Sequence, residues 1–147
     1  MSDKDKEESE VERSVKVAQE KVAHWEIELV EKKRKFFDTL SIARRVTDLM
    51  KNIANHSKVF EQLYGPKLPE EGWVYSEICE TLNGWIRVYN SIHHDVKYTY
   101  GLGEKFDEMF PLFEEVPPLK SQILKRNKEL MMWTLQLLDF LDRKLRF

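Results

Sequence analysis

The sequence predicts an all-α protein, an irregular four-helix bundle with a very long N-terminal helix. The chain of 147 residues contains only five glycines and five prolines, and neither residue type occurs before Gly65. Charged residues make up 34% of the chain, against a typical ~25%, as expected of helices with solvated charged faces. Hydrophobic residues make up 41%, which is enough to build a core that offsets the entropy of ordering the chain.

The first helix is predicted over residues 9–56 from a heptad pattern. Apolar residues recur at spacings of four and three, which is the pattern of a helix that packs lengthwise on a partner. Only Lys32 and Thr39 interrupt this heptad seam with polar side chains. We predict one helix with a kink allowed near 37–41, where Asp38 and Ser41 could cap a restart. The seam consists of Val11, Val15, Ala18, Val22, Trp25, Leu29, Lys32, Phe36, Thr39, Ala43, Val46, Met50 and Ile53.

Three further helices follow the first. The Gly- and Pro-rich segment 65–72 is a loop, and an amphipathic pattern predicts a helix over 73–100 that stops at Gly101. A short helix is predicted over 104–113 and a last helix over 119–145, after Pro117 and Pro118. The last helix is apolar on nearly all sides between Leu130 and Leu141, so we expect it to be the most buried element. Residues 1–8 are expected to form an acidic flexible tail, and residues 9–147 a single α-helical domain.

Cellular location is suggested by what the N-terminus and the cysteine content exclude. The acidic N-terminus has no apolar run typical of a secretory signal, and no apolar stretch reaches the ~20 residues that span a bilayer. The single Cys79 cannot form an internal disulfide, which suits a reducing compartment. We therefore expect a cytoplasmic protein without a membrane partner.

Charge is sorted along the chain. Residues 1–12 carry a net charge of −4, residues 13–58 carry +5, residues 59–118 carry −7 and residues 119–147 carry +4. One interpretation is that basic and acidic helices attract one another within the bundle. The other is a basic face, densest at Lys32, Lys33, Arg34 and Lys35, that meets phosphates or an acidic protein. The sequence pI of about 6.1 argues against constitutive coating of DNA.

The sequence offers little support for a metal, nucleotide or cofactor site. The four histidines form neither a His-x-x-x-His pair nor a Glu-x-x-His pair, so no helical metal site is expected. Gly101 and Gly103 follow a helix rather than a strand, so a helix C-cap and turn explain them better than a phosphate loop. Cys79 lies on an apolar helix face and is a poor candidate nucleophile. We expect no cofactor and no small-molecule substrate.

One constellation could carry catalysis. In the run from Arg87 to His94, an Arg precedes His residues by about two helical turns, which is similar to the signature of the HEPN superfamily. That resemblance implies a small helical bundle acting as a metal-independent ribonuclease, with Arg87 on the scissile phosphate and His94 as general acid or base. A helical projection places Arg87 beside His94 on the solvent side and His93 in the core. The sequence departs from the signature at Val88, where a polar residue usually follows the Arg.

A non-enzymatic interaction protein is the function that the sequence favours. The long helix offers an apolar and basic surface to another protein or to a second copy of the chain. The predicted binding residues are Trp25, the basic run Lys32, Lys33, Arg34 and Lys35, and Trp73 as an exposed anchor beside the loop. Small helical bundles that are rich in Lys and Glu and lack catalytic motifs are typical of viral regulators, inhibitors of host machinery such as RNA polymerase, and coat-like assembly subunits. The alternatives are the HEPN-like ribonuclease and a nucleic-acid-binding protein.

Overall fold

The computed structural model describes the backbone of residues 3–63 and 73–145, and the side chains of residues 9–58 and 75–145. Within these ranges the chain forms four helices and no strand. They are α1 (Asp3–Leu63), α2 (Trp73–Tyr100), α3 (Glu104–Met109) and α4 (Lys120–Leu145). The prediction of an all-α protein with a very long N-terminal helix is confirmed.

Three of the predicted helix boundaries need correction, two in α1 and one in α3. α1 begins at Asp3 rather than at residue 9, continues through 37–41, and ends at Leu63 rather than at 56. No Gly or Pro interrupts it. α3 ends at Met109 rather than at 113, because Phe110 precedes Pro111 and adopts an extended conformation (φ −130°, ψ 109°). Proline disfavours the helical conformation of the residue before it.

The contacts of the chain divide between Phe37 and Asp38 into two units, where the sequence predicted a single domain over 9–147. The first unit is α1 up to Phe37, and every side chain from residue 10 to residue 35 is exposed. The second unit holds the rest of α1 together with α2, α3 and α4, and contains the hydrophobic core.

The core of the second unit is centred on α2, which corrects the expectation that the last helix is the most buried. α2 packs against α4, but α4 also presents Leu124, Met132 and Leu135 to solvent. From α1 the core receives Ile42, Val46, Leu49 and Ile53, and from α4 Ile123, Leu130, Leu137 and Leu141. From α2 it receives Tyr75, Ile78, Cys79, Leu82, Ile86, Tyr89, Ile92, His93 and Val96.

Polar contacts fix α1 to the other helices of the second unit. The Arg45 guanidinium donates to the Asp95 carboxylate at 2.5 Å, across the α1–α2 interface. The hydroxyls of Thr39 and Tyr100 are hydrogen-bonded to each other. The fully buried Thr39 therefore has a partner for its hydroxyl, which explains how a polar residue is accommodated on the heptad seam.

Gly101 ends α2 with a left-handed residue, as the sequence predicted. Its φ is 57°, and its N–H donates to the carbonyl of Tyr98 at 3.2 Å, while the N–H of Leu102 donates to the carbonyl of Lys97 at 3.1 Å. These two bonds are the Schellman pattern that satisfies the last carbonyls of a helix. α2 therefore ends because of its own local sequence.

Candidate interaction surfaces

The first unit carries an uncovered apolar stripe. We call it the N-terminal seam: Val11, Val15, Ala18, Val22, Trp25, Leu29, Lys32 and Phe36. Its large members are open to solvent, with Val11 62%, Trp25 59% and Leu29 54% exposed. The same heptad spacing is buried in the second unit, where Val46 and Ile53 have no exposed surface. The same heptad pattern is therefore exposed in the first unit and buried in the second unit, whose own helices pack against it.

An uncovered stripe of this kind is unusual for a helix in water. Burying a Val or Leu side chain is worth about 1.5–3 kcal/mol relative to leaving it exposed, and most helical stability in proteins comes from packing an apolar face. Contiguous apolar surface on a protein marks interaction sites. The N-terminal seam is therefore the candidate interaction surface of the first unit.

The predicted basic run lies at the end of this seam. Lys32, Lys33, Arg34 and Lys35 are all exposed. Lys32 occupies the seam itself, and Lys33 and Lys35 flank it, so the run adjoins the apolar stripe. Trp25, a predicted binding residue on the seam, is exposed. Trp73 is the first residue of α2, and its side chain lies outside the described residues.

A second apolar surface lies on α4 and was missed by the sequence reasoning. An open groove of about 700 Å³ is bordered by α4 on one side and by Ala54 and Ser57 of α1 on the other. Its α4 side is a stripe at helical spacing, separate from the stripe that faces the core. The α4 residues are Leu124, Asn127, Lys128, Met131, Met132 and Leu135. The high apolar content of α4 predicts burial on nearly all sides, and it does not by itself distinguish this outer stripe from the stripe that faces the core.

Two asparagines of α2 hold the extended segment that connects α3 to α4. The Asn90 amide donates to the carbonyl of Phe113 at 2.9 Å and accepts from its N–H at 3.1 Å. The Asn83 amide donates to the carbonyl of Val116 at 3.0 Å and accepts from its N–H at 2.9 Å. A segment without regular structure thereby has backbone groups satisfied inside the protein. We call this arrangement the asparagine clasp.

Together with His93, the clasp holds three residues of this segment, at every third position, whose apolar side chains are buried. Phe110, Phe113 and Val116 are each buried to a few per cent exposure. His93 adds a hydrogen bond from Nε2–H to the carbonyl of Phe110 at 2.8 Å. His93 is only 1% exposed, and burial lowers the pKa of its imidazole. His93 is therefore a core histidine, as its place on the apolar face predicted.

The clasp also sets the surroundings of Arg87, the predicted phosphate-binding residue. Arg87 and His94 are both exposed on α2, as the helical projection predicted. The Arg87 guanidinium, however, is paired with the carboxylate of Glu115. The groove that Arg87 lines also contains Glu80, so a phosphate there would meet two carboxylates. Burial raises the pKa of the Cys79 thiol in the same groove, which makes it a weak nucleophile.

Among residues 9–58 and 75–145, no three His, Cys, Asp or Glu side chains are grouped as metal ligands. No helix in the described part of the chain is both long and apolar enough to cross a membrane. No protein family, no curated protein and no solved structure matches the chain.

Proposed function

We propose that this chain is a non-enzymatic helical-bundle interaction protein that binds a protein partner through the N-terminal seam. The observation that carries the proposal is the exposure of the seam from Val11 to Leu29 in a helix that buries the same pattern further along. In this proposal the second unit is a folded body, and the first unit is the binding element. Such a protein would act in the cytoplasm as a regulator or inhibitor of larger machinery, including that of a viral host, or as an assembly subunit.

The charges beside the seam favour a protein partner over a nucleic acid. A helix that follows a phosphate backbone presents one sign of charge along a face. Here the sign changes from heptad to heptad along the two edges of the seam: Glu12, then Lys21, then Glu26 and Glu28, then Lys33 and Lys35. Alternating signs at these positions are typical of helix pairing, where they select the partner and its orientation.

Site-specific photo-crosslinking in the full-length protein tests the proposal. A photo-reactive amino acid at position 29 lies on the seam, and one at position 27 lies on the opposite side of the same helix. The two native side chains are similarly exposed, Leu29 at 54% and Ile27 at 62%, so random collisions would label both. We expect a defined adduct from position 29 in cells and little from position 27. Equal labelling at the two positions would overturn the proposal.

A direct binding assay tests the nucleic-acid alternative. Binding through Lys32, Lys33, Arg34 and Lys35 would fall steeply with salt and would be abolished by reversing these four charges. The alternative is supported if the native chain retards DNA or RNA at low salt and the reversed variant does not. We expect no retardation by either protein.

The HEPN-like ribonuclease is the enzymatic alternative, and it rests on the exposure of Arg87 and His94 on one helix. Its weakness is the ion pair between Arg87 and Glu115, which occupies the guanidinium that a phosphate would need. Incubating the protein with labelled RNA in EDTA, beside the His94→Ala variant, separates the two functions. Cleavage by the native chain and none by the variant would establish the ribonuclease. We expect no cleavage that depends on His94.

A further inference from the structure

We infer that the partner of the N-terminal seam is a second copy of this chain, paired with it as an antiparallel two-stranded coiled coil. The inference rests on the proposed function, because it takes the seam to be a protein-binding surface. It adds the identity of the partner, the orientation of the two helices and their register. All the residues that it pairs lie between Glu10 and Phe37, inside the first unit.

Heptad positions follow from the seam. With Val15, Val22, Leu29 and Phe36 at position a, position d is taken by Val11, Ala18, Trp25 and Lys32. Positions e and g flank this core and form the charge pairs between helices. Along the chain, position e is Glu12, Gln19, Glu26 and Lys33, and position g is Ser14, Lys21, Glu28 and Lys35. Acidic and basic residues are therefore both present on each edge of the seam.

In an antiparallel pair, each a residue lies opposite a d residue, and e and g residues meet their own kind on the second copy. Placing Val22 opposite Trp25 of the second copy brings Glu12 beside Lys33 and Lys21 beside Glu28. The two-fold symmetry of such a dimer repeats each contact, which gives four attractive pairs. In this register Glu10 lies opposite Phe37, so the paired segment ends at the C-terminal boundary of the first unit.

The core layers of the antiparallel pair match large side chains with small ones. Trp25 lies opposite Val22, Leu29 opposite Ala18, and Lys32 opposite Val15. Lys32 can then cover Val15 with its methylenes and keep its ammonium in water. Alternation of large and small residues across a core fills it without voids or overlap. No layer in this register contains two charged residues.

A parallel pair has the same number of attractive flanking contacts but a worse core. Parallel pairing in register joins Lys21 to Glu26 and Glu28 to Lys33, so the flanking charges alone do not choose the orientation. It also places Lys32 against Lys32 in the core. The run from Lys32 to Lys35 would lie beside its own copy, bringing eight positive charges together. Like charges at such short range are repulsive, and the antiparallel pair keeps the two runs at opposite ends.

The flanking charges also exclude antiparallel registers shifted by one heptad. A shift toward the N-terminus places Lys21 beside Lys21 and Glu12 beside Glu26. A shift toward the C-terminus places Glu26 beside Glu26 and Glu28 beside Glu28. Each shift replaces attractive pairs by like-charge pairs, which is how coiled coils select against wrong alignments. The sequence of the seam is therefore self-complementary in one antiparallel register.

Light scattering and analytical ultracentrifugation of the full-length chain test whether the seam joins two copies. We expect a dimer whose dissociation constant rises at least about a hundredfold in Leu29→Asp, because the dimer loses two buried leucines and gains two charges at the interface. Ile27→Asp, an equally polar change at an exposed position off the seam, should leave the dissociation constant within about threefold. A chain that is monomeric at every concentration measured overturns the inference, as does an equal response of the two variants.

Disulfide trapping tests the orientation. Val15→Cys and Lys32→Cys lie opposite each other in the antiparallel pair, so neither single variant should crosslink to itself. An equimolar mixture of the two should give a disulfide-linked dimer on non-reducing gels. In a parallel pair each variant would crosslink alone, and that result overturns the antiparallel arrangement. The buried Cys79 is retained in all variants, and the native chain is the control for its reactivity.

Two outcomes distinguish a failure of the second-copy partner from a failure of the interaction function. A monomeric chain that still gives a defined adduct from position 29 to another protein overturns the second-copy partner and leaves the interaction function standing. A chain with no seam-specific adduct to itself or to any other protein overturns both. The core of the second unit contains neither position 27 nor position 29, so we expect that unit to stay folded in each variant. Circular dichroism checks this.

Discussion

Replacing Asn90 by Ala is expected to destabilise the second unit through the asparagine clasp. The Asn90 amide makes two hydrogen bonds to one residue, to the N–H and the carbonyl of Phe113. Each contributes about 0.5–1.5 kcal/mol net, and leaving partly buried backbone groups unsatisfied raises the cost further. We expect a loss of about 2.5 kcal/mol in the free energy of unfolding, which lowers Tm by about 10 °C for a unit of this size.

Urea unfolding followed by near-ultraviolet circular dichroism measures this loss, because that signal reports the packing of aromatic side chains. Asn55→Ala is the matched control: the chemical change is the same, but Asn55 is exposed on α1. The control should change the free energy of unfolding by less than about 0.5 kcal/mol. If Asn90→Ala costs no more than Asn55→Ala, the clasp does not hold the extended segment and the reasoning fails.

Three further predictions concern the second unit. Burial lowers the pKa of both His93 and His56, so the unfolded chain binds more protons as the pH falls through about 6.5. The free energy of unfolding should therefore be highest above that pH and decrease between about pH 7 and 5; urea titrations across this range would contradict the reasoning if stability rose. Gly101→Ala should lower stability by about 1 kcal/mol, because φ at Gly101 is 57°. Gly84→Ala should raise it by up to about 1 kcal/mol, since a Cβ there meets only the Arg87 side chain at 3.9 Å; thermal melts that gave both changes the same sign would refute this pair. Tyr89→Phe should leave stability unchanged or raise it by about 1 kcal/mol, because the buried Tyr89 hydroxyl has no hydrogen-bond partner in the described structure; a clear loss of stability in urea unfolding would contradict this reasoning.

The helices could be predicted from the sequence because their signals are local. The absence of Gly and Pro before Gly65 and the heptad spacing predict α1, and Gly101 predicts the end of α2. The sequence also contains a signal for the early end of α3, because Pro111 restrains the conformation of Phe110. The apolar spacing up to Phe113 favours a longer helix instead. Phe113 is buried as that spacing suggests, in an extended segment rather than in a helix.

What the sequence could not predict depends on contacts between distant residues. The clasp requires Asn83 and Asn90 to face a particular segment, and an asparagine on a helix carries no mark of that role. The heptad pattern is the same on either side of Asp38. It therefore does not show whether the helix packs against its own chain or against a second copy. Only their exposure distinguishes Leu29 from Val46.

The asparagine clasp has a consequence for how the chain tolerates change. The clasp and its neighbours engage Phe110, Phe113 and Val116, while Leu112 and Glu114 face solvent. A saturation scan of this segment should therefore show intolerance at every third position, a period that matches neither a helix nor a strand. Homologous chains, as they diverge, should keep apolar residues at every third position of this segment, together with asparagines at the positions of Asn83 and Asn90. This three-residue period would identify the same docked segment in sequences too distant to align by their helices.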